Sequence, residues 1–148
     1  MEHTSVLIVE DDLGDVVLTR RAFRMGSPER KVYAVRDGVE ALDFLLCTGA
    51  YVDRDPRDMP ELILLDMQLP RMNGLEVLRR LREEERTHLL PIVILTSSDA
   101  EQDRLEACKS GVNSYLRKPV DFDQYFETVQ EICQHWLVLN ETPPKQVH

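Results

Sequence analysis

The sequence predicts an α/β fold, a doubly wound five-stranded parallel sheet flanked by five helices, and three observations lead there. Short runs rich in β-branched residues and leucine punctuate the chain at 6–9, 32–35, 62–65, 92–95 and, more weakly, 114–116. Three of these runs are apolar throughout instead of alternating, the pattern of strands covered on both faces. Between them lie segments of helical character near 14–25, 38–46, 74–85, 99–110 and 121–140. Such alternation, with right-handed crossovers, opens a ligand crevice at the carboxyl ends of the strands.

Gly26 and Gly111 stand where left-handed residues would close the first and fourth helices. The connection 47–60 is long and polar, carries Pro56 and Pro60 among charged residues, and reads as an exposed loop. A domain of residues 1–140 is expected, with 141–148, including Pro143-Pro144, as a flexible tail and no appended output domain.

Composition narrows the function. The chain has 148 residues, 43% of them hydrophobic, enough for one core without staples. Its 18 basic and 27 acidic residues give a formal charge of −9, which disfavours nucleic acid and anionic membranes as partners. Cys47, Cys108 and Cys133 are far apart and outside any metal-ligand spacing, so neither a disulfide framework nor zinc is suggested. No apolar run approaches the roughly 20 residues of a membrane span. A cytoplasmic protein is expected.

The first strand runs into Glu10-Asp11-Asp12 and the third into Asp66, so carboxylates should converge at one sheet edge. Like charges that close either raise a pKa or bind a cation, and an all-oxygen set favours a hard ion such as Mg²⁺. The alternative for the acidic triplet is helix capping. Strand four ends in Thr96-Ser97 and strand five in Arg117-Lys118-Pro119, placing a hydroxyl and an ammonium at the same edge.

Together, Val9-Glu10-Asp11-Asp12, Leu64-Leu65-Asp66-Met67, Leu69-Pro70-x-Met72-x-Gly74, Leu95-Thr96-Ser97 and Lys118-Pro119 resemble the receiver domain of two-component response regulators, over about residues 4 to 140. The resemblance implies a flavodoxin-like strand order of 2-1-3-4-5. It implies Asp66 as phosphoacceptor, and Asp11, Asp66 and the backbone carbonyl of Gln68 as Mg²⁺ contacts, with Glu10 acting largely through a metal-bound water. Asp12 receives only a supporting role. Lys118 would neutralise phosphoryl charge. Thr96 and Tyr115 would form the switch, and the Lys118–Pro119 peptide would be cis. Gly74 would suit a tight turn beside the site and Pro70 would stiffen it.

The stripe Phe122, Tyr125, Phe126, Val129, Ile132, Cys133, Trp136 and Leu137 is helical in period, but Trp136-Leu137-Val138-Leu139 is apolar all round. That predicts a homodimer through the C-terminal helix, in which the same patch of a second chain covers Trp136, Leu137 and Leu139, together with the strand five face carrying Tyr115. The alternative is that Trp136 folds back onto its own domain. His135-Trp136-Leu137, the following Asn140-Glu141-x-Pro143-Pro144 and the loop 47–60 look like the small response regulators paired with bacterial phytochrome photoreceptor kinases. The expected function is therefore that of a stand-alone phosphoacceptor for a sensor histidine kinase, a switch more than an enzyme. Two competing readings are a Mg²⁺-dependent phosphohydrolase of the haloacid dehalogenase type and a pseudo-receiver interaction module. The first would need an acid where Gln68 stands. The second leaves unexplained why every titratable residue of the chemistry is present.

Overall fold

A computed structural model describes residues 5–26 and 28–139. The apolar runs form β1 (Ser5–Val9), β2 (Lys31–Val35), β3 (Leu62–Leu65), β4 (Ile92–Thr96) and β5 (Ser114–Arg117). All pairs are parallel, in the order β2-β1-β3-β4-β5, as expected. The helices are α1 (Leu13–Gly26), α2 (Gly38–Leu46), α3 (Gly74–Glu83), α4 (Glu101–Lys109) and α5 (Phe122–Cys133), and α5 continues into a π-helical stretch, Gln134–Leu139.

Strand periodicity sorts the core into two layers, which is why β1, β3 and β4 are apolar at successive positions. Leu7, Val9, Ile63, Leu65, Ile92 and Ile94 face α2, α3 and α4, where Leu45, Leu78 and Leu81 meet them. The alternate residues Val6, Leu62, Leu64, Val93 and Leu95 face α1 and α5, against Phe23, Val129 and Ile132. A few helices carry clear caps: Asp37 accepts from the Glu40 N–H at α2, Asn73 from Glu76 at α3, and Asp121 from Asp123 and Gln124 at α5.

Three expectations change. Gly111 is left-handed, with φ 92°, but Gly26 is not; a Cβ there would lie 3.0 Å from Cys133 Sγ, so Gly26 serves the close approach of α1 to α5. The loop 47–60 is exposed over most of its length, as expected, but it is also anchored, which its composition did not indicate. It contains a 3₁₀ turn, Gly49–Tyr51. Within it, Tyr51 donates to Glu40 at 2.7 Å, and Arg54 lies 4.0 Å from the Phe44 ring centroid while donating to the Phe44 and Asp58 carbonyls.

The C-terminal apolar segment also departs from expectation. Trp136 is half-buried against the α1/α5 layer and Leu137 is 9% exposed, because both continue the i, i+3, i+4 stripe of Val129, Ile132 and Cys133. Arg30 fastens the end by donating to the Leu137 carbonyl at 3.0 Å. The side chains of Val138 and Leu139 and the expected tail 141–148 lie outside the described residues. Exposed apolar surface appears elsewhere, at Leu116, Val120 and Phe122 around the β5–α5 connection and at Leu13, Val17 and Met25 on α1. Among the described residues, no helix is long and apolar enough to cross a membrane.

Candidate functional site

Parallel pairing extends one residue past two central strands, and that extension seats the acids. The Glu10 N–H donates to the Val35 carbonyl and the Asp66 N–H to Val9, each at 3.0 Å. Backbones fixed in this way bring carboxylate oxygens of Glu10, Asp11 and Asp66 within 4.8 Å of one another. Glu10 and Asp66 are buried and Asp11 is exposed. Three convergent hard oxygen donors fit a divalent cation of the Mg²⁺ class. Asp12 stands apart: its Oδ1 accepts from the Asp15 N–H at 3.1 Å, so it caps α1, as the capping alternative proposed.

Lys118 enters from the end of β5, where its N–H donates to the Thr96 carbonyl at 2.7 Å. The Lys118–Pro119 bond is trans, since no described peptide is cis, yet the ammonium still reaches the acids. It donates to Glu10 Oε1 in a short contact, to Asp15 Oδ2 at 2.9 Å and to Asp66 Oδ2 at 3.4 Å. Burial pushes the Glu10 carboxyl up to about 7; Lys118 pulls against that rise and Asp66 adds to it. For Lys118, burial alone would lower the pKa, but the hydrogen bonds to Glu10 and Asp15 and the charge of Asp66 carry it above its ordinary value.

Strand parity divides the site. Thr96 follows Ile92 and Ile94 onto the α2–α4 side and is fully buried, its Oγ1 accepting from the Ser98 N–H at 3.2 Å. Tyr115 is half-buried on the same side, packed against that layer. Its buried hydroxyl lies beside Ser98, whose Oγ donates to Asp103 at 2.7 Å. Burial, and then Asp103, raise the Tyr115 pKa. The structure thus brings Glu10, Asp11, Asp66 and Lys118 into one cluster and sets Thr96 and Tyr115 beside it as a separate pair.

The loop after β3 depends on glycine. A Cβ at Gly74 would lie 2.1 Å from the Asp66 carbonyl oxygen, and one at Gly38 would lie 2.0 Å from the Met72 oxygen. Arg71, left-handed at φ 64°, ties this loop to α2 through Asp37 at 3.1 Å. Gln68 is exposed, and its N–H donates to Asp66 Oδ1 at 3.3 Å. Sequence reasoning missed Asp15, the third partner of Lys118. Its signal was spacing, four residues after Asp11 at the start of a helix. The buried Thr19–Tyr125 hydrogen bond of 2.9 Å, which joins α1 to α5 below the site, carried no sequence signal because its partners are 106 residues apart.

Comparison with known proteins agrees with this geometry. The response regulator receiver domain family matches residues 6–130. A probable methanogenesis regulatory protein of Methanothrix harundinacea, FilR2, is 38% identical over 93% of this chain and 86% of its own length. The response regulator Rcp1 of Synechocystis is 35% identical over 89% and 88%. A crystal structure of Rcp1 in its Mn²⁺-bound form has 32% identity and a TM-score of 0.89, over 95% of this chain and 99% of that one. The phosphorylated cyanobacterial phytochrome response regulator RcpA gives 32% and 0.90, over 97% and 100%.

Proposed function

The chain belongs to the response regulator receiver domain family, related to phytochrome response regulators, and on that premise we propose that it is a switch in which Asp66 accepts a phosphoryl group from a sensor histidine kinase. The observation that carries this reading is the placement of Asp66, buried at the end of β3 among two further carboxylates with the Lys118 ammonium 3.4 Å from its Oδ2. In the transfer, an Asp66 oxygen attacks phosphorus in line; the new O–P bond forms as the P–N bond to the kinase imidazole breaks, and that nitrogen keeps the electron pair. Glu10, Asp11 and Asp66, with the Gln68 backbone carbonyl, would hold Mg²⁺, which when bound supplies positive charge to the transferring oxygens. Lys118 supplies a second positive charge from the β5 side.

The signal passes through the neighbouring pair. The Thr96 hydroxyl turns from the Ser98 N–H to a phosphoryl oxygen, drawing in the loop after β4, and Tyr115 follows into the vacated space. The kinase meets α1, whose exposed Leu13 and Val17 adjoin the acidic edge. Similarity to the cyanobacterial phytochrome response regulator RcpA supports a phytochrome kinase as the donor, and membership of the receiver family is consistent with action in the cytoplasm. A homodimer contact fits the C-terminal helix at its exposed start, Val120 and Phe122, and the adjoining Leu116 of β5. Incubation with acetyl phosphate and Mg²⁺ tests the core of the proposal by intact-protein mass: one phosphoryl group on the wild type and none on Asp66→Asn. Undiminished labelling of the variant would remove Asp66 from the role.

A further inference from the structure

Lys118 has three N–H donors and three carboxylate acceptors, but the acceptors are not equivalent. Glu10 and Asp66 belong to the cluster that fits a divalent cation; Asp15 does not. Asp15 projects from the first turn of α1, where the helix N-terminus favours a carboxylate, and its backbone is fixed by the Asp12 cap. One turn on, Thr19 locks α1 to α5 through Tyr125. The Asp15 side chain is 25% exposed and that of Lys118 is 11%, so this is a half-sheltered pair instead of a solvated surface contact.

Resting on the phosphoacceptor reading, we propose that Asp15 is a positioning residue for Lys118: it holds the ammonium on the α1 side of the acids, so that a divalent cation can take Glu10 and Asp66 while the lysine stays within reach of the phosphoryl position. Without a bound cation the ammonium neutralises the acids itself, and it therefore competes with the metal for Glu10 and Asp66. A partially buried ammonium released by those two residues still needs a counter-charge. Asp15 is the acceptor that lets Lys118 yield them without being left uncompensated. Removing the Asp15 charge should tighten the lysine's hold on the cluster and so weaken the metal.

Mg²⁺ titration followed by amide NMR shifts tests this without any turnover. Asp15→Asn should weaken Mg²⁺ roughly three- to tenfold, and Asp15→Glu should restore affinity to within twofold. Lys118→Met should tighten Mg²⁺, and adding Asp15→Asn to it should change affinity less than twofold. Asp12→Asn keeps the α1 cap, removes a charge two residues along the chain from Glu10 and leaves Lys118 untouched; it should also shift affinity less than twofold, which provides the control should Lys118→Met fail to fold. An equal loss in Asp12→Asn, an undiminished loss in the Lys118→Met background, or no loss in Asp15→Asn would each overturn the proposal. Acetyl phosphate labelling of the wild type separates the two readings. Labelling at Asp66 with a failed cycle sinks only the role of Asp15; an intact cycle without labelling sinks the phosphoacceptor instead.

Discussion

The protein shelters a cation at each edge of its sheet, and the two are held in opposite ways. At the carboxyl edge Lys118 is shared among Glu10, Asp15 and Asp66, all charged groups that another cation or a phosphoryl group can displace. At the amino edge Arg82 of α3 donates to the carbonyls of Gly111, His88 and Leu90 at 2.9, 3.1 and 2.8 Å, and to Asn113 Oδ1 at 2.8 Å. Asn113 Oδ1 in turn accepts from the Ile92 N–H, where β4 begins. These acceptors are neutral backbone and amide oxygens instead of exchangeable charges, so the clamp joins α3, β4 and the α4–β5 turn as a fixed frame; burial lowers the Arg82 pKa. Exchangeable partners suit a switch and irreplaceable ones suit a frame.

Breaking each edge should give different phenotypes. Arg82→Met leaves several carbonyls wanting, at about 1–3 kcal/mol for each that water does not recover. We expect a total near 3 kcal/mol and a fall in Tm of roughly 6–12 °C by calorimetry, with Asp66 labelling at permissive temperature within about twofold of wild type. Gly74→Ala should damage both properties at once, because its new Cβ would meet the Asp66 carbonyl. Stability should fall by about 2 kcal/mol or more and labelling should slow on the order of tenfold, read by denaturant titration and mass spectrometry.

The carboxyl edge alone should respond to pH. Because the Glu10 pKa is about 7 in the fold against 4.5 ordinarily, the metal-free fold binds that proton more tightly than the unfolded chain does. Its contribution is complete below pH 4.5 and is lost as the pH rises through 7, so the Tm without metal should fall across that window; saturating Mg²⁺ should flatten or reverse the slope. The smallest effect is expected for Asp11→Asn, which relieves repulsion at an exposed position. Without metal its Tm should rise by a few degrees, about 1 kcal/mol, and a lower Tm would contradict the repulsion.

These contrasts also explain what the sequence disclosed. Strand runs were legible because burial on both faces leaves a continuous apolar signature, and Asp66 was legible because a carboxylate ending such a run is costly without a purpose. Gly74 showed itself as a tight-turn residue, though its closeness to the Asp66 carbonyl required coordinates. Asp15 did not stand out, because an acid in the first turn of a helix is accounted for equally well by the helix N-terminus. Arg82 carried no signal in the sequence, since nothing local indicates that it reaches Gly111 and Asn113. Trp136 and Leu137 were legible as part of the helical stripe, yet within four consecutive apolar residues they pointed to an interface instead of to the α1/α5 layer.

The central claim is that Asp66 is the group the carboxyl edge serves. Borohydride reduces an aspartyl phosphate to homoserine, so treatment after acetyl phosphate and Mg²⁺, followed by peptide mass mapping, reads the acceptor directly. We predict reduction at Asp66 alone. Reduction at Asp11, Asp12 or Asp15, or none in a protein that carries the phosphoryl mass, would contradict it.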